Sequence, residues 1–174
     1  MVIKKTGKKK HPLYVKPKKG HGFYVPDQRK FKSDFVQHHG CSLAGFYIAM
    51  YFIGKHRTMA WLLKWSRNHL NIESKIPVSE VYKGLRKLAP ESKKSGITFR
   101  RKVNSQEVRT ALSRGYLVLL ETDGPIHTNP LMWDDTKCCV RNFSNGGKAS
   151  VDVGKMVKNQ CDNKTYRGCI FIKP

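Results

Sequence analysis

The stretch that most constrains the fold runs from Gln37 to Gly54, Gln-His-His-Gly-Cys-Ser-Leu-Ala-Gly-Phe-Tyr-Ile-Ala-Met-Tyr-Phe-Ile-Gly. A polar entry broken by Gly40 leads straight into an apolar run. Within it Leu43, Phe46, Tyr47, Met50 and Ile53 recur at three- and four-residue spacing, the period of a helix with one buried face. Gly40 frees the turn that opens the helix, and Gly54 is placed to close it. Cys41 falls at the joint, at or just before the first turn. There, unpaired backbone N–H groups and the positive end of the helix dipole favour a thiolate. Cysteine is also a common small apolar core residue, so this stretch alone leaves nucleophile and packing residue both open.

Charge decides what such a chain meets. Lys and Arg number 34 against 12 Asp and Glu, a net charge of +22. That imbalance attracts polyanions: nucleic acid, anionic polymer, anionic lipid or an acidic protein. The 174 residues suit one domain with one core. Residues 1–33 carry eleven Lys or Arg against one Asp and are interrupted by Pro12, Pro17, Gly20, Gly22 and Pro26. No apolar period there offsets the entropy of ordering, which predicts a flexible basic arm over 1–22 and a single folded domain over 23–174. Tyr14 is available in that arm to stack on a base.

No run approaches the roughly 18 apolar residues of a membrane span, and no apolar stretch with a cleavage site follows the basic start. The five cysteines, at 41, 138, 139, 161 and 169, fit neither a disulfide framework nor the paired spacing of a zinc site. His38 and His39 beside Cys41 have no carboxylate near in sequence to complete a metal site. The expectation is a reduced, cytoplasmic chain with no metal and no cofactor.

After the Cys41 helix the helical period returns twice. Thr58 caps a helix to about Leu70 with Met59, Leu62, Leu63 and Trp65 facing inward, and Pro77 opens another through Leu88, stopped by Pro90. Trp61, Trp65 and Phe46 sit at helical spacing and are expected in the core. The second half changes period. Gly96–Val103 reads as a strand, and Asn104 with Glu107 makes a near capping box for a helix ended by Gly115. Tyr116–Glu121 is a buried strand by content. Ile126–Trp133 and Lys137–Phe143 read as a hairpin, Val151 and Val153 begin a short element, and Tyr166–Ile172 closes the chain as a strand. Helices first and an antiparallel sheet afterwards is the α+β pattern.

His127 is the only histidine in the sheet half. It follows Thr122-Asp123-Gly124-Pro125, a turn that places it at a strand's mouth. Fifteen residues on, Asn142 ends the next strand, so that a hairpin of this length sets a carboxamide beside the imidazole. A thiol on a buried helix and an imidazole on a later strand is the division of labour in papain-like enzymes.

At these residues the sequence resembles the C39-like cysteine peptidases, in particular the stand-alone bacterial kind. The matching pieces are Gly40-Cys41-Ser42-Leu43-Ala44, Ala49-Met50, Gly54, Val108–Gly115 before Tyr116–Leu120, His127 and Asn142, in order over about 23–172. The family usually has Cys-Gly-Pro where this chain has Cys41-Ser42-Leu43, and an aromatic after the histidine where this chain has Thr128-Asn129-Pro130. The resemblance implies a papain-like fold, with a helical half packed on an antiparallel sheet. It also implies a Cys41–His127–Asn142 triad that cleaves an amide or thioester, or transfers an acyl group, on a peptide or protein substrate. Its oxyanion glutamine lies upstream of the cysteine, and Gln28 and Gln37 are both candidates. The alternative from another class is a non-catalytic basic protein that keeps the scaffold and grips nucleic acid or another polyanion.

Overall fold

The computed structural model describes residues 14–17, 19–27, 30–72, 75–123, 127–134, 139–142, 153–163 and 166–174. The helix on which the sequence turns is α2, Cys41–Phe52, delivered through Gly40 by a short helix α1, Asp34–His39. It is buried almost all round, not along one stripe: Leu43, Phe46, Ile48, Ala49, Met50 and Phe52 are each at most 1% exposed. The cause is its place in the fold, with other helices on one side and a sheet on the other. Gly54 does end it in the left-handed region, at φ +80°. Gly40, by contrast, has an ordinary φ of −80°. Glycine is required there because the Val36 carbonyl lies where a Cβ would stand.

Two further helices cover α2. In α3, Met59–His69, the Thr58 hydroxyl accepts the Trp61 N–H at 3.1 Å; α4, Val78–Leu88, starts after Pro77. Trp61 is not core: it is 38% exposed, and the Arg57 guanidinium lies 5.0 Å from its ring centre. A single turn α5, Glu91–Lys94, precedes the first long-range strand β3, Ile97–Arg100. The capping box predicted at Asn104 and Glu107 is present and opens α6, Ser105–Ser113. Then come β4, Leu117–Thr122, β5, His127–Asp134, β6, Cys139–Asn142, α7, Val153–Asp162, and β7, Tyr166–Ile172.

These strands form one antiparallel sheet in the order β3-β7-β4-β5-β6, so the last strand lies inside it. The period of two splits β4 and β7 between two cores. Leu117, Leu119, Ile170 and Ile172 pack with α2, α3 and α4, while Val118, Leu120, Cys169 and Phe171 pack with Val108, Ala111, Leu112 and Val157 of α6 and α7. That is why β4 reads as an unbroken apolar run. Pro130 is tolerated in β5 because, among the described residues, β6 pairs only from Leu131 onward. The whole is an α+β fold, with α6 and α7 forming a third layer on the far face.

The short element expected to begin at Val151 and Val153 is a helix from Val153. Val157 and Cys161, one turn apart, seat α7 on the sheet. Part of the segment expected as an arm over 1–22 is ordered against the core. Residues Tyr14–Val15 (β1) pair with Phe23–Tyr24 (β2), Val15 and Phe23 are 0% and 1% exposed, and the His21 N–H donates to the Phe52 carbonyl at 3.2 Å. The folded unit therefore includes Tyr14, Val15, His21, Phe23 and Tyr24. Among the described residues no helix is long and apolar enough to cross a membrane.

Candidate active site

Cys41 is the first residue of α2, and His127 is the first of β5. The two are 86 residues apart, and the packing of α2 on β5 brings them together. Gly45 allows the close approach: a Cβ there would stand 3.2 Å from Thr128 Cγ2 and 3.5 Å from Leu119 Cδ2, so a side chain would press on Thr128, which would have to give by a few tenths of an ångström. One turn nearer the helix start, Ser42 Oγ lies 2.7 Å from Thr128 Oγ1, both side chains being buried.

Cys41 is half-buried and reduced. Burial pushes its thiol up. Opposing it are a hydrogen bond to the His127 side chain, the Thr128 backbone N–H, the charge of His127 and the Ser42 hydroxyl, and together they hold the thiol below its ordinary value. With Thr128 donating to Ser42, the Ser42 hydrogen is left for the sulfur. Cys161 and Cys169 go the opposite way. Burial, with Asp162 and Glu107, pushes Cys161 up to about 11, and burial raises Cys169 well above its ordinary value. Of these three cysteines, Cys41 is the one whose surroundings favour thiolate.

His127 is held by its backbone. Its carbonyl accepts from Thr122 Oγ1 at 3.2 Å and from Asn129 Nδ2 at 3.4 Å, at the point where the β4–β7 register shifts between Glu121 and Thr122. The Asn129 amide also reaches the Leu120 carbonyl at 3.4 Å. Ser42, Thr122, Thr128 and Asn129 were not singled out in the sequence; a polar Thr-Asn pair directly after His127, inside an apolar strand, is the signal that points to them.

Asn142 is placed differently from the expectation. The β5–β6 pairing sets it opposite Leu131, four residues along the strand from His127, or about 13 Å at the rise of a strand. The register runs from Leu131 opposite Asn142 to Asp134 opposite Cys139, so Asn142 is not level with His127. Of the two glutamines, Gln28 lies outside the described residues. Gln37 is in α1, where its Nε2 donates to the Phe31 carbonyl and ties the helix to the preceding loop.

Among the described residues no three His, Cys, Asp or Glu side chains gather as a metal site would require. The chain matches no family model, no curated protein and no solved structure.

Proposed function

We propose that the protein is a thiol hydrolase or acyltransferase on a papain-like scaffold, as the resemblance to C39-like cysteine peptidases implies. The observation that carries this reading is the packing of α2 on β5, which sets Cys41 at the start of the helix against His127 and Thr128 at the start of the strand. There the His127 side chain helps hold the thiol below its ordinary value, while burial pushes Cys161 and Cys169 up.

In this reading the Cys41 thiolate adds to a substrate carbonyl carbon and forms a C–S bond. The tetrahedral intermediate then collapses. The C–N bond breaks, and His127 gives its proton to the leaving amine. His127 next takes a proton from water, which adds to the thioester, and the C–S bond breaks to return the thiolate and a free acid. An amine in place of water gives acyl transfer. The Cys41 backbone N–H and either Gln28 or Gln37 would receive the oxyanion; a donor of this kind contributes roughly 3–4 kcal/mol. Asn142 has no part in this scheme, since the β5–β6 register sets it away from His127.

The test is alkylation by iodoacetamide at pH 6, followed by peptide mapping. An ordinary thiol is only about 0.3% thiolate at that pH. Cys41 is expected to react well ahead of Cys161 and Cys169, and His127→Ala is expected to slow it to the ordinary rate. Equal reactivity of the three cysteines, or no effect of His127→Ala, would sink the proposal. The net charge of +22 favours a second reading, a polyanion-binding protein on the same scaffold, whose binding would be indifferent to Cys41→Ala.

A further inference from the structure

One side of the sheet's rim holds more than the Cys–His pair. β5 begins there, β4 ends, β7 begins and β3 ends, so His127, Glu121, Arg167 and Arg101 lie in a row across four strands. Glu121 pairs directly with Thr128, the residue that touches both Cys41 and Ser42. It is 3% exposed, and its Oε1 accepts the Val78 N–H at 3.1 Å in the first turn of α4. Beside it opens a cavity of about 330 Å³ walled by Val78 and Phe99 and flanked by Lys75, Arg101 and Arg167. Glycine in β7 lets the wall close up here: Phe99 packs over Gly168, where a Cβ would lie 2.6 Å from its ring.

We propose that this cavity is a side-chain subsite of the Cys41–His127 site and takes an acidic side chain of the substrate. The proposal rests on the thiol-hydrolase reading above and names its substrate class. Strands are spaced about 4.8 Å apart, which puts the cavity about 10 Å from His127, or roughly three residues of extended peptide. Three cations surround the cavity, against one carboxylate. That carboxylate is withdrawn into the wall and already holds a backbone N–H, and Arg167 is bridged to Asp123. Lys75 and Arg101 therefore set the sign of the entrance. An incoming carboxylate meets them first; a lysine or arginine side chain must pass them to reach Glu121.

Protection of Cys41 from iodoacetamide tests this without requiring turnover. The probes are blocked alanine hexapeptides carrying one Glu, one Gln or one Lys at each position in turn. At one position Glu is expected to protect at about tenfold lower concentration than Gln, the order of a single ion pair in a partly enclosed site, with Lys weaker than Gln. Lys75→Glu with Arg101→Glu, both on the surface, is expected to reverse the order. Lys64→Glu with Arg67→Glu on α3, an equal change in net charge, is expected to leave it unchanged. Protection that ignores the charge at every position, no protection by any peptide, or equal loss in both double variants overturns the subsite. Slow alkylation of Cys41 that His127→Ala does not alter instead overturns the hydrolase reading beneath it.

Discussion

The thiol of Cys41 depends on the hydroxyl that follows it in the chain. Ser42 reaches the sulfur and Thr128 at once, so Ser42→Ala removes a donor that lowers the thiol and a bond that holds α2 to β5. The pH profile of Cys41 alkylation is expected to move to higher pH in that variant. Stability is expected to fall by about 1–2 kcal/mol, because the buried Thr128 hydroxyl loses its partner. Adding Thr128→Val removes the orphan and is expected to restore part of the loss in a denaturant melt, while the alkylation profile stays shifted. Glu121 gives the opposite case. Burial, aided by Asp123, raises its carboxyl above the ordinary value despite the Val78 N–H, Lys75 and Arg167. A carboxyl raised by folding contributes stability that is complete below its unfolded-state value near ~4.3 and is lost as the pH climbs through its folded-state value. The melting temperature of Glu121→Gln relative to the parent is therefore expected to increase from pH 4 to pH 7. A difference that stays flat over this range would show that the carboxylate sits in the fold at no penalty.

At the scale of elements, the N-terminal hairpin is the part whose weight truncation can measure. Val15 in β1 is fully buried against the core that contains Phe23 and Phe52, worth about 1.5–3 kcal/mol for a side chain of its kind. A chain cut after residue 22 is expected to melt well below one cut after residue 13; matching melting temperatures would mean that β1 is an ornament. The hairpin was not legible in the sequence, because its two short strands carry one buried side chain each amid lysines, prolines and glycines, below any periodic signal. For α7 the sequence marked only the start of a short element at Val151 and Val153; its helical character rests on the one-turn spacing of Val157 and Cys161. By contrast α2, α3, α4 and α6 announced themselves through caps and periods contained within a dozen residues, as the Asn104–Glu107 box shows. The site divides along the same line. Cys41 at a helix start and His127 at a strand start follow from local pattern. The Ser42–Thr128 contact spans 86 residues, and the β5–β6 register, which pairs Asn142 with Leu131, is not fixed by the number of residues between His127 and Asn142.

On the scale of the whole molecule, charge governs what the protein attracts. The excess of 34 Lys and Arg over 12 Asp and Glu is not confined to the N-terminal segment: Arg57, Lys64, Arg67, Lys83, Arg86, Lys87, Arg109 and Arg114 are exposed on or beside α3, α4 and α6. A field so spread acts on any polyanion and on any acidic peptide approaching the rim of the sheet, and it weakens within a Debye length of about 10 Å at 0.1 M salt. Binding of double-stranded DNA is accordingly expected to fall by about 10³ or more between 50 and 200 mM salt if six or more cations are engaged. It is expected to survive truncation after residue 13 with a shallower slope, and to be identical in Cys41→Ala. A slope that vanished on truncation would assign the binding to the N-terminal segment alone. A change in Cys41→Ala would tie it to the thiol site. With neither, the cations of the folded unit act as a general attractor, and the selectivity of the rim rests on Lys75 and Arg101, whose effect at short range salt screens far less.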